Sequence, residues 1–173
     1  MSIAPSTKIK IGLPSIEIKY LAKSNEMTYD EVLSTINEML LYVLDELLLE
    51  LEKWINKYVP KRTGQLRESL IANLYSSAVK NGLMRVILGT NLDYAEDVAE
   101  MSTMQVRHSG EKGYAYYYSN YGPITLYDPQ AIGNFWEELL EYAKEKCMNI
   151  LQRAIDEYFA GTGKLMRMVR GKL

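Results

Sequence analysis

From Thr28 to Tyr58 an apolar residue returns every three or four positions with no proline or glycine between, and this run dictates much of what the chain can form. Val32, Ile36, Met39, Leu40, Val43, Leu44, Leu47, Leu51, Trp54 and Tyr58 keep helical spacing. Thr28 and Glu31 stand at capping-box distance at the start, and Pro60 closes the end. Leu41, Leu48, Leu49 and Ile55 spread the apolar surface beyond a single stripe. A helix of that kind must be covered on more than one side.

A second helical pattern follows later. Asp128 is placed as its N-cap with Pro129 in the first turn. Ile132, Phe135, Trp136, Leu139, Leu140, Ala143, Cys147, Ile150, Leu151, Ala154, Tyr158 and Phe159 then hold the period as far as Gly161. A helix of about 30 residues is ~45 Å long. A globule of this size has a radius of gyration of only about 16 Å. Helices of that length leave apolar surface for a neighbour, which predicts an oligomer.

Shorter periods surround them. Ile9, Ile11 and Leu13 alternate with polar residues or glycine, as do Ile16, Ile18 and Tyr20 after Pro14, and both read as half-buried strands. Ile71–Val79 and Leu83–Thr90 flank Lys80-Asn81-Gly82, and Asn-Gly is a strong hairpin signal. Tyr94–Met101 reads as a short helix, with further strands expected near Ala115–Ser119 and Ile124–Tyr127. The predicted fold is α+β: two long helices packed on a mostly antiparallel sheet, one domain over residues 1–160 with a basic tail at 161–173.

With 173 residues, 47% hydrophobic and 24% charged, the composition is that of a globular chain. The net charge of −2 sets up no strong overall field toward nucleic acid or membrane. It is unevenly spread: the tail carries Lys164, Arg167, Arg170 and Lys172 and no acid, leaving 16 basic and 22 acidic residues before it. The first dozen residues are polar and contain lysine, so no signal peptide is expected and synthesis in the cytosol is. Met39–Leu44 is too short to span a bilayer. Cys147, the only cysteine, rules out an internal disulfide or a cysteine zinc cage and sits on the apolar stripe of the second helix.

The stretch from Pro60 to Leu70 is the most informative motif. Proline stops the first helix, Thr63 is placed to cap a short turn, Gly64 lets the chain bend, and Leu66 and Leu70 lie one helical step apart to anchor it. As a pattern, Pro60-x-x-Thr63-Gly64-x-Leu66-Arg67-x-Ser69 after a long amphipathic helix resembles the tail-completion, or minor neck, proteins of lambdoid and related tailed phages. That family continues with a hairpin, a Tyr-Ala-x-x-Val-Glu-aromatic-Gly-Thr segment and a proline-started C-terminal helix. Here Tyr94-Ala95-Glu96-Asp97-Val98-Ala99-Glu100-Met101-Ser102-Thr103 and Tyr127-Asp128-Pro129 occupy those places, over roughly residues 16 to 160. The chain departs from the pattern by one extra residue before Glu100, by Met101 and Ser102 for the aromatic and glycine, and by its Tyr-Asp-Pro helix start. The resemblance makes Arg67 and Glu100 the charged motif positions, expected to pair and tie the connector to the segment after the hairpin. It further implies a virion role: a homo-oligomeric ring, commonly sixfold, joining head connector to tail tube around a channel through which DNA passes without sequence-specific binding.

Other features are read beside it. Glu31, Glu38, Asp45 and Glu52 recur at seven-residue steps on one helix face, either a solvated face or a negative channel lining along which DNA slides. Tyr114, Tyr116, Tyr117, Tyr118, Tyr121 and Tyr127 crowd a segment whose strands would turn them to both faces, which suits a subunit or partner interface. The tail mixes its four cations with Leu165, Met166, Met168 and Val169, fit for an acidic neighbour or for DNA phosphates. Gly161-Thr162-Gly163-Lys164 follows a helix rather than a strand and lacks the spacing of a phosphate loop. His108 is the sole histidine, beside Arg107, Ser109 and Gly110, with no triad signature around it. No cofactor, metal, membrane or enzymatic activity is expected. The alternatives are a tail-terminator or head-closure ring, or a cytosolic oligomeric regulator whose basic tail binds nucleic acid.

Overall fold

The computed structural model describes residues 6–12, 15–61, 64–103, 106 and 130–158. Within them the chain is a small mixed domain of five helices and a three-stranded antiparallel sheet. In chain order these are β1 (Ser6–Gly12), α1 (Ser15–Asn25), α2 (Tyr29–Tyr58), α3 (Gln65–Leu74), β2 (Ala78–Lys80), β3 (Leu83–Gly89), α4 (Ala95–Ala99) and α5 (Phe135–Tyr158). The tyrosine cluster from Tyr114 to Tyr127, Asp128 and Pro129, His108 and the tail from Lys164 to Lys172 all lie outside the described residues.

α2 forms as its period demands. The Thr28 hydroxyl accepts from the Glu31 backbone N–H while the Glu31 carboxylate accepts from the Thr28 N–H, so a complete capping box starts the helix. Eleven of its side chains are buried, among them Ile36, Met39, Val43, Leu47 and Leu51. At its end Val59 leaves helical geometry with φ −69° and ψ 131°, the extended backbone that a following proline imposes. α2 packs along α5, whose Phe135, Leu139, Ala143, Cys147, Ile150, Leu151, Ala154 and Ile155 are buried. Trp54 meets Tyr142 at 5.9 Å between ring centroids, and Tyr42 meets Tyr158 at 6.1 Å, so the two helices run antiparallel.

The sheet has order β1-β3-β2. Asn81 and Gly82 both take positive φ, 52° and 73°, as the turn of a tight hairpin requires. The Gly82 N–H donates to Asn37 Oδ1 at 2.8 Å, which pins the hairpin to α2. Met84, Val86 and Leu88 of the central strand are buried, and in β1 Ile9 and Ile11 lie opposite Val86 and Met84. Lys8, Lys10 and Arg85 alternate with them onto the exposed face. One face of the sheet meets the core and the other meets water.

Several expectations are corrected. Residues 16–20 are not a strand but part of α1, because Ile18, Leu21 and Ala22 are buried together at helical spacing against α2. Ile71–Leu74 likewise belongs to α3, where Leu66, Leu70 and Leu74 form one buried face, and only Ala78–Lys80 remains strand. The last helix begins at Phe135 rather than Pro129. Before it Gln130–Asn134 turn instead of coil, with Asn134 at φ 51°. The cap of α3 is Gly64 in a left-handed conformation, with no side-chain cap bond; Thr63 lies outside the described residues.

Candidate functional site

The four final carbonyls of a helix have no partner within it, and a buried helix end must find partners elsewhere. At the end of α2, α3 and the approach to α5 supply two donors. The Ile132 N–H donates to the Tyr58 carbonyl at 3.0 Å, which draws the approach of α5 onto the helix end. Arg67 Nε donates to the Val59 carbonyl at 2.7 Å, a short charge-assisted bond from α3. Arg67 was expected to reach Glu100. Its Nε bond runs back across Pro60 to α2, and Glu100 is exposed at the end of α4 with its N–H on the Glu96 carbonyl.

The other described motif residues are fastenings as well. Ser69 Oγ and Thr90 Oγ1 lie 2.7 Å apart, joining α3 to the end of the central strand, and buried Thr90 also accepts from the Leu92 N–H. Leu66 is buried in the core, and the Tyr94 carbonyl accepts from the Val98 N–H at the start of α4. Thr103 Oγ1 accepts from the Gly133 N–H at 3.0 Å, and the Met101 carbonyl accepts from Asn134 at 3.0 Å. Gly133 is pressed so closely there that a Cβ would stand 2.2 Å from the Thr103 nitrogen and 2.3 Å from the Met101 oxygen. Only glycine fits that crossing. The motif thus brings α2, α3, the central strand, the segment after α4 and the approach to α5 to one junction.

Beside this junction lies a cleft between α2 and α5, about 470 Å³, lined by Glu50, Lys53, Trp54, Lys57, Tyr58, Ile132, Glu138 and Tyr142. Glu50 organises it. Its carboxylate takes Lys53 Nζ at 3.1 Å and the Tyr142 hydroxyl at 3.2 Å, with Lys146 at 3.8 Å. The Lys53 bond chiefly holds Glu50 below the ordinary carboxylate range. Tyr142 is pushed up to about 12, first by burial and then by the bond to Glu50. Lys57 lies 4.8 Å from the Tyr58 ring centre and Lys146 5.3 Å from that of Tyr142. The Tyr142 and Lys146 contacts to Glu50 tie the two helices together across the cleft. Among the described residues no group of histidine, cysteine and acidic side chains could hold a metal ion. No described helix is long and apolar enough to cross a membrane.

Glu31, Glu38, Asp45 and Glu52 do share the outward side of α2. Glu31 is held below its ordinary value, chiefly by its bond from the Thr28 backbone. Glu38 accepts from Ser34, and Glu52 from the Tyr75 hydroxyl at 2.5 Å. Between these acids stand two exposed leucines, Leu41 at 46% and Leu49 at 51%. In three comparisons, no family model, no curated protein and no solved structure matches the chain.

Proposed function

We propose that this chain is a structural subunit of a virus particle, a tail-completion protein whose copies form a ring in the neck and join the head connector to the tail tube. The observation that carries the reading is the junction at the end of α2. There the described motif residues Pro60, Gly64, Leu66, Arg67, Ser69 and Thr103 act on backbone and packing, not on an exposed reactive centre. An assembly protein needs that kind of rigidity, because its work is to hold a shape under load. Support also comes from the order of elements: a helix of 30 residues, the connector, a hairpin, a short helix and a closing helix of 24 residues follow the order the resemblance implies. In this reading α2 and α5 are the two long helices of the subunit; α2 packs against the sheet, and α5, expected on the sheet as well, packs along α2 instead.

Exposed Tyr20, Leu41, Leu49, Tyr75 and Met148, each at least 46% accessible, supply apolar surface for sister subunits. Negative-stain electron microscopy of the purified protein tests the reading. Closed rings with a central opening are expected. Compact single particles at every concentration, together with absence of the chain from mature virions, would overturn it.

A further inference from the structure

The exposed face of the sheet carries a second charge pattern that the spacing of the sequence did not suggest. Lys8 and Lys10 on β1, Arg85 on β3 and Lys80 on β2 all alternate outward, and all four are exposed. Register places Lys10 directly opposite Arg85, and Lys80 opposite Leu83, two residues from Arg85. Lysines on the edge strands β1 and β2 have an ordinary use, since they deter another strand from adding there. Arg85 lies on the central strand, where no edge needs guarding. Like charges directly opposite on adjacent strands are destabilising. Among the described residues none of these four cations has an ion-pair partner. The arrangement is a liability in a lone subunit and an asset once an anionic surface covers it.

The chain itself provides that surface. From Tyr29 to Glu52 it contains acidic residues and no lysine or arginine, and Glu38, Asp45 and Glu52 lie outward on α2 with Leu41 and Leu49 between them. We infer that the basic sheet face of one copy docks on the acidic face of α2 in the next. This rests on the ring reading above and names the surfaces that build the ring. Apolar side chains decide between partners: Leu83 and Ile87 are half-buried among the sheet cations, matching Leu41 and Leu49 among the helix acids. A nucleic-acid backbone would answer the cations and leave those side chains unmatched. Dimensions agree as well. Lys8 to Lys80 spans roughly 16 Å, at ~3.4 Å per residue along a strand and ~4.8 Å between strands. Glu38 to Glu52 spans roughly 21 Å along the helix, at ~1.5 Å per residue.

Because the two surfaces are different patches of one molecule, the contact is head-to-tail, which generates rings when it closes rather than two-fold dimers. It also moves Glu38, Asp45 and Glu52 from a channel lining to the wall between subunits.

Charge reversal on each face tests this. K10E/R85E replaces the two directly opposed sheet cations with carboxylates, and E38K/D45K replaces two of the three helix acids with lysines. Each variant alone is expected to lose the oligomer by sedimentation velocity, and an equimolar mixture is expected to regain it, because alternating subunits restore every contact. That recovery cannot come from misfolded protein. Variants that assemble like the wild type, or a mixture that stays dissociated, overturn the contact. So does a K10E/R85E protein that keeps its mass and loses only duplex binding. A monomeric wild type would instead sink the ring reading beneath it.

Discussion

Arg67→Ala removes a charge-assisted bond from α3 to the end of α2. In the wild type Arg67 Nε reaches the Val59 carbonyl at 2.7 Å, in a partly buried position immediately before a proline. The alanine leaves that carbonyl short of a donor at a helix terminus, where acceptors have no partner within the helix. Hydrogen bonds involving a charged group contribute about 1.5–3 kcal/mol to stability. Arg67 is half-buried, so loss of its stem adds to the cost and puts it in the upper half of that range. For a domain of this size each kcal/mol moves the midpoint by about 2–4 °C. The melting temperature should therefore fall by about 4–12 °C, read by circular dichroism and checked by urea unfolding at constant slope. Glu100→Ala, at an exposed position, should stay within ~0.5 kcal/mol of the wild type. A double-mutant cycle should show the two changes adding. An Arg67→Ala loss below ~0.5 kcal/mol, or strong coupling to Glu100, would refute the assignment of Arg67 to the end of α2.

Three further outcomes follow from the same geometry. Gly133→Ala must displace the backbone at Met101–Thr103, so it should cost at least the 1–3 kcal/mol typical of overpacking and show in urea unfolding. Thr28→Ala should lower stability by about 1 kcal/mol through loss of the cap. The same variant should let the Glu31 pKa rise part of the way toward its ordinary value by NMR titration, since it removes the Thr28 side-chain bond and keeps the larger backbone one; the stabilisation from these bonds is present above the unfolded-state pKa and fades as pH falls through the folded one. Cys147, 1% exposed with its thiol pushed up to about 11 by burial, should resist alkylation at pH 8 until the protein is unfolded. Its raised value also means that its share of stability holds below about 9 and drains away as pH climbs toward 11.

What could be read from the chain depended on how far a pattern runs. α2 was legible from end to end because its period persists for 30 residues between a capping box and a proline. The Asn81-Gly82 turn was legible because few other dipeptides adopt positive φ twice. α1 was misread because Ile16, Ile18 and Tyr20 alternate over a window too short to separate the two periods, and the deciding pair, Leu21 and Ala22, lies just beyond it. α3 was cut short for a related reason: β-branched Ile71 favours a strand locally, while burial of Leu74 with Leu66 and Leu70 holds it in the helix. Arg67 stands out as a motif residue, but its Nε bond escapes the pattern, since the acceptor is a main-chain oxygen that no side-chain pattern marks. The cleft joins Glu50 and Trp54 to Tyr142, and the basic sheet face joins β1 to a hairpin far along the chain. Neither has a local signature.

In the ring we propose, one copy of this chain is incomplete and its exposed faces are made for sister subunits. Light scattering on the eluting, purified full chain measures this directly. A molar mass that is an integer multiple of 19.9 kDa, falling as salt is raised, is the predicted result. A mass of 19.9 kDa that persists from low to high concentration and at low salt would contradict it.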